Sequence, residues 1–162
     1  MPITGLNHAV LFVRDLERSL DFYKTVLGFI EVDRVQNQMG FLRAASSSNH
    51  HDLGLIAIGA SAATPKPGTV GLYHLAWQVP TIEDLVTAAQ VLQQAGYLRG
   101  ASDHGVSKSL YGEDPDGNGF ELLWCVPRDA WGEFAQRAVT RSLNLAQELE
   151  RFGQQTTQVT SS

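Results

Sequence analysis

Apolar and polar positions follow one pattern twice along the chain. Gly5-Leu6-Asn7-His8 opens an apolar run that ends at Val13, and Gly71-Leu72-Tyr73-His74 opens another that ends at Val79. The offset of 66 positions between His8 and His74 also carries Glu17 onto Glu83. Each run leads into a helical period. Leu16, Leu20, Phe22, Tyr23, Val26 and Leu27 recur at three- and four-residue spacing in the first, and Ile82, Leu85, Val86, Ala89 and Leu92 in the second. Asp15 and Thr81 stand where N-caps belong, and Gly28 and Gly96 where helices stop.

Three strand-like runs follow each helix. The first half has Phe29–Val35, Met39–Ala45 and Leu53–Ile58. The second has a weak run near Tyr97, then Ser107–Gly112 and Gly119–Val126. Both halves therefore read strand, helix, strand, strand, strand, which is an α+β pattern of two βαβββ modules. The modules span about residues 5–60 and 71–127. The Gly-, Ala- and Pro-rich stretch 59–68 between them reads as a linker, and Asp114-Pro115-Asp116-Gly117-Asn118-Gly119 as a tight turn. Residues 128–153 read as a C-terminal amphipathic helix, with Trp131, Phe134, Ala138, Leu145, Leu149 and Phe152 on one stripe. Its apolar stripe beyond one small domain predicts a homodimer or higher homo-oligomer. The polar stretch 154–162 reads as a disordered tail.

Composition narrows the function classes. The chain has 162 residues, 43% of them hydrophobic and 18% charged, which suits a globular domain. No apolar run approaches the ~18 residues of a membrane helix, and no basic region precedes an apolar stretch at the start. A single cysteine, Cys125, excludes an internal disulfide and predicts a reducing, cytoplasmic setting. The net charge of −5 argues against nucleic acid as the partner.

Five histidines carry the chemistry. His8 alone reads most simply as a hydrogen-bonded strand residue, but His74 occupies the equivalent place in the second half. Glu121 stands in an otherwise apolar strand, Phe120 to Trp124, where a carboxylate costs several kcal/mol unless paired or bound to a cation. A solvent-facing edge position is the alternative reading of Glu121. Two imidazoles and a carboxylate with open positions are the donor set of non-haem Fe(II) sites, and also accept Mn(II) or Zn(II). His50 and His51 stand at the entrance of the run from Leu53, and His104 in a Gly- and Ser-rich loop. Tyr111, ten positions before Glu121, falls nearly opposite it in a hairpin. Such groups suit proton transfer, although a surface histidine pair and a half-buried tyrosine read as well. No phosphate-binding loop, nucleophile elbow or zinc-type Cys pair is present.

Over residues 5–126 the sequence resembles the vicinal oxygen chelate superfamily, which includes glyoxalase I, bleomycin- and fosfomycin-resistance proteins and type I extradiol dioxygenases. The carriers are Leu6-Asn7-His8 through Asp15-Leu16-Glu17-Arg18-Ser19, Asp21-Phe22-Tyr23, Leu27-Gly28-Phe29, Tyr73-His74-Leu75-Ala76, and Tyr111 through the Asp-Pro-Asp-Gly-Asn turn to Glu121-Leu122. The resemblance implies sheets that curve around a metal cup, with His8, His74 and Glu121 as ligands of Fe(II) or Mn(II). His50-His51-Asp52-Leu53 is similar to the His-His-x-Leu segment of the extradiol dioxygenases, which gives His51 the acid/base role. The stretch His104 to Tyr111 is similar to one that carries an active-site histidine and tyrosine. There Tyr111 would hold the substrate's deprotonated oxygen, with His104 along the pocket. The implied reaction is ring opening of a catechol-type diol by dioxygen beside its two hydroxyls. The rival readings are another metal enzyme of the superfamily, such as a thiol transferase, isomerase or lyase, and a non-catalytic resistance-type binding protein.

Overall fold

The computed structural model describes residues 1–64, 66 and 68–153. The expected tail, 154–162, lies outside them. The chain divides into two compact units, Met1–Val70 with Asp114–Asn118, and Gly71–Glu113 with Gly119–Ser162.

The first unit runs β1 (Ala9–Val13), α1 (Leu16–Thr25), β2 (Ile30–Val35), β3 (Met39–Arg43) and β4 (Leu53–Ala57). Its sheet has the order β1-β4-β3-β2. β1 and β4 pair in parallel, Ala9 beside Leu53, and the other neighbours are antiparallel. A parallel pair needs a crossover, and α1 lies within it. Asp15 caps α1 by accepting from Arg18 N–H at 2.9 Å, and Gly28 takes φ +73° just after it. α1 turns Leu16, Leu20, Phe22 and Tyr23 inward onto Leu11, Val13, Leu42, Leu53 and Leu55 of the sheet. At Gly40 the approach is so close that a Cβ would stand 3.0 Å from Leu20 Cδ2.

Asp114–Asn118 belongs to this unit through buried carboxylates. Asp114 accepts from the backbone N–H groups of Asp116 (2.8 Å) and Asn118 (2.9 Å), from Asn118 Nδ2 (2.9 Å) and from the Tyr23 hydroxyl (3.1 Å). Asp116 accepts from Arg14 N–H at 2.9 Å and pairs with the Arg18 guanidinium. The expected turn is thus a tied element, and burial and charge raise the Tyr23 phenol well above its ordinary range.

The second unit repeats the order: β5 (Leu75–Gln78), α2 (Ile82–Gln94), β6 (Leu98–Asp103), β7 (Ser107–Glu113) and β8 (Gly119–Cys125). Its sheet is β5-β8-β7-β6, with β5 and β8 parallel. Thr81 opens α2 with a capping box to Asp84, and Gly96 follows it at φ +78°. Ile82, Leu85, Ala89 and Leu92 of α2 are buried with Leu110, Phe120, Leu122 and Trp124. The duplicated α+β reading therefore holds, element for element.

The C-terminal helix differs from expectation. It is α3, Leu145–Phe152 only, capped by Asn144. From 128 to 144 the chain makes two short 3-10 turns, Arg128–Ala130 and Gly132–Gln136, and then runs extended. Gly132 sits at φ +52°, outside helical space, and Arg141 forms a bridge with Asp103 on β6. Trp131 and Phe134 share a stripe with Leu145 and Phe152 in sequence, but serve a strap instead. α3 places Phe152 against Trp124, ring centroids 5.2 Å apart, and Glu148 3.4 Å from Lys108 Nζ.

Candidate functional site

In the second unit, β8 is buried on both faces. Phe120, Leu122 and Trp124 share one face, with α2 packed on the strand and Phe152 against Trp124. Alternation sends Glu121 to the other. There the register sets Tyr111 of β7 directly across from Glu121, and Ala76 of β5 on its other side. His74 immediately precedes β5, and its Nε2 lies 3.0 Å from Glu121 Oε2. Glu121 is 8% exposed, so the edge-facing alternative does not hold. His74 Nδ1 is buried without a hydrogen-bond partner.

Tyr111 completes this face. Its ring lies 5.8 Å from that of His74, and its hydroxyl 2.7 Å from His104 Nε2. Burial, and secondarily the Glu121 carboxylate, push the Tyr111 hydroxyl above its ordinary pKa. The same two causes raise the Cys125 thiol, which keeps it protonated and a poor nucleophile. The sequence reading thus placed four residues, His74, Glu121, Tyr111 and His104, that this unit gathers.

The first unit gathers the others. His8 precedes β1 and donates its Nδ1–H to Asn7 Oδ1, 2.8 Å away. Its ring lies 4.5 Å from that of His51, which precedes β4 and also meets Phe41 at 5.0 Å. His50 Nδ1 stands 3.1 Å from His51 Nδ1. Burial, reinforced by the neighbouring His8 and His50, holds His51 below the ordinary histidine range. Its loop is fixed by Asp52, which accepts from Ala44 N–H, Ser47 Oγ and Asn49 Nδ2, each at 2.8 Å. A neutral imidazole is what a general base requires.

The donor chemistry suits a divalent metal in part. Imidazole and a buried carboxylate side by side are borderline and hard donors of the kind that Fe(II) and Mn(II) accept. The buried His74 Nδ1 has no hydrogen-bond partner among the described residues, while Nε2 faces Glu121 and the ring meets Tyr73 and Tyr111. Among the described residues no group of three or more His, Cys, Asp or Glu side chains stands ready to hold a metal ion.

Two features escaped the sequence. Lys108 is 3% exposed and pairs with Asp103 at 2.5 Å and Glu148 at 3.4 Å. The partner Asp103 five positions earlier was visible, but Glu148 was not. Val139 and Thr140 reach His104 from the strap, and nothing in their residue types announces it.

Residues 5–122 match the pattern of the glyoxalase/bleomycin resistance protein/dioxygenase superfamily. The catechol-2,3-dioxygenase of Bacillus subtilis (strain 168) is 36% identical over 129 residues, 79% of this chain and 44% of that protein. A manganese-dependent 2,3-dihydroxybiphenyl 1,2-dioxygenase of Geobacillus genomosp. 3 is 30% identical over 131 residues, 78% of this chain and 38% of that protein. The chain thus spans less than half the length of these two relatives. A crystal structure of a glyoxalase/dioxygenase from Nostoc punctiforme superposes with a TM-score of 0.65 at 21% identity, covering 76% of this chain and 92% of that one. Repeated modules, matched residues and relatives agree, and the chain belongs to the glyoxalase/bleomycin resistance protein/dioxygenase superfamily.

Proposed function

We propose that the protein is a metal-dependent extradiol dioxygenase of the cytoplasm, which opens the ring of a catechol-type diol with dioxygen. The observation that carries this reading is the buried His74–Glu121 pair with Tyr111 directly across the ladder. The relatives named for catechol and dihydroxybiphenyl cleavage support it.

His8, His74 and Glu121 are the proposed ligands, and Fe(II) or Mn(II) the proposed metal. Such a metal, when bound, binds the diol and activates dioxygen. The chain's own residues do the rest. His51, held neutral, takes a phenolic proton at its free ring nitrogen and returns it as the ring opens. Phe41 sets its ring 5.0 Å from that of His51. Tyr111 hydrogen-bonds a ring oxygen, and His104 holds Tyr111. Exposed Leu6, Val10 and Phe12 support the expected homo-oligomer, which light scattering tests directly.

Metal titration tests the ligand set. The wild-type chain should bind about one Fe(II) or Mn(II), and His8→Ala, His74→Ala and Glu121→Ala should each lose it. A wild-type protein that binds neither ion would favour the resistance-type binding reading instead.

A further inference from the structure

The strap, residues 128–144, lies past residues 5–122, the stretch that matches the family. Against the turn between β6 and β7 it bounds a cavity of about 410 Å³. A volume of that order holds small molecules. Val106, Phe134, Ala135, Ala138 and Val139 give the cavity apolar walls, and His104 stands among them.

The walls are held in place by their own contacts. Trp131 donates its Nε1–H to the Val126 carbonyl at 2.7 Å. The Phe134 ring covers Gly105 so closely that a Cβ there would stand 2.6 Å from it. The Arg141 guanidinium lies 4.8 Å over the same ring, and Arg141 and Asp103 exchange two backbone hydrogen bonds of 2.9 Å. The Val139 carbonyl and the Thr140 hydroxyl stand 3.0 Å and 3.3 Å from His104 Nδ1. A wall formed beforehand costs an incoming ligand little ordering.

His104 joins the cavity to the candidate site. Its Nδ1 side meets the strap, and its Nε2 lies 2.7 Å from the Tyr111 hydroxyl. Tyr111 in turn stands directly across the ladder from Glu121. A ligand seated at Glu121 and Tyr111 therefore meets the cavity past His104, with whatever it carries besides its two oxygens. The lining selects the chemistry of that part. Five apolar side chains suit a hydrocarbon group. The Arg137 guanidinium is 67% exposed and pairs with Glu133 at 3.3 Å. Among the described residues the lining thus offers no buried cation to offset the desolvation of a carboxylate.

We propose that the strap forms the subsite for a neutral, apolar substituent of the diol. An aryl- or alkyl-catechol is then preferred to catechol itself and to a catechol that bears a carboxylate. Ala135 and Ala138 are the specificity-determining residues, because a large side chain at either position fills the cavity. The inference rests on the dioxygenase reading for the diol and deepens it by naming the substrate class.

Two measurements on the full chain test this. In the first, metal-loaded protein is given catechol, 2,3-dihydroxybiphenyl and 3-(2,3-dihydroxyphenyl)propionate. The biphenyl should have the highest kcat/KM, by about 10-fold or more, the scale on which an apolar pocket discriminates. Ala135→Trp and Ala138→Trp should each lower that value by about 10-fold or more and leave turnover of catechol unchanged. In the second, 2-hydroxybiphenyl is titrated into metal-free protein with carbon-13-labelled alanine methyl groups. The Ala135 and Ala138 signals, assigned by their loss in Ala135→Ser and Ala138→Ser, should shift and saturate. A preference for the propionate overturns the proposal, as do folded Trp variants that both keep the wild-type preference. Unmoved Ala135 and Ala138 signals overturn it as well, and they decide the matter if the Trp variants do not fold. The second readout needs neither metal nor turnover. Shifting alanine signals on a protein silent toward every diol would sink the dioxygenase reading alone. Unmoved signals on an active enzyme would sink the subsite alone.

Discussion

At the scale of single residues, burial decides which of the histidines and carboxylates can act. Glu121 was legible because a carboxylate among Phe120, Leu122, Leu123 and Trp124 demands a partner, and the partner is His74 at 3.0 Å. Lys108 was not legible. A lysine in a strand ordinarily runs its stem along the surface with its head in water, whereas this one is 3% exposed between Asp103 and Glu148. His51→Ala should keep metal binding and lose turnover, by at least about 10²-fold if the ring is the general base. Metal content and single-turnover rate, measured on the same sample, separate the two. Asp114 collects three hydrogen bonds within its turn and one from Tyr23. Asp114→Ala should cost about 2 kcal/mol or more, because it strands buried donors around an absent carboxylate. Urea unfolding checks that figure, and an unchanged midpoint would contradict the role given to the turn.

At the scale of elements, the caps made the helices readable. Asp15 and Thr81 accept where N-caps should, and Gly28 and Gly96 follow the helices at positive φ. Strand ends shifted by a residue or two because apolar patterning does not mark where ladder bonds stop. The C-terminal helix was misread over 129–144 because an apolar stripe does not record what it packs against. Here Phe134 covers Gly105 and the backbone at Arg141 pairs with Asp103. The strap's attachment is sensitive to acid. Burial pushes the Asp103 carboxyl up, but hydrogen bonds from Lys108 and Gly105 N–H and the charges of Lys108 and Arg141 outweigh it and hold the group below its ordinary range. Glu148 shares Lys108, and His104 adjoins Asp103 in the chain. A depressed carboxyl contributes stability above its unfolded pKa and loses it as pH falls through the folded value. Wild-type protein should therefore melt above Asp103→Asn at neutral pH, and the gap should close in acid. A gap that widens on acidification would contradict this assignment.

At the scale of the whole molecule, the chain is one module written twice. The repeat of Leu-x-His before an apolar run was enough to anticipate the two modules, and the structure adds the parallel pairs β1–β4 and β5–β8. The structure divides the candidate residues as the two modules of the sequence do. His8 and His51 belong to the first unit, and His74, Glu121, Tyr111 and His104 to the second. Among the described residues no helix is long and apolar enough to cross a membrane. A metal bound by His8, His74 and Glu121 should stabilise the folded chain by about 2.7 kcal/mol when present at a hundred times its dissociation constant. Fe(II) or Mn(II) should accordingly raise the melting temperature of the wild type and leave that of Glu121→Ala unmoved. The most direct test of the account is oxygen consumption. Protein purified without air, loaded with Fe(II) or Mn(II), is given catechol, alkyl-catechols and 2,3-dihydroxybiphenyl. The account predicts oxygen uptake matched mole for mole by a yellow, ring-opened product. Silence across that panel, with the metal shown to be bound, would contradict it.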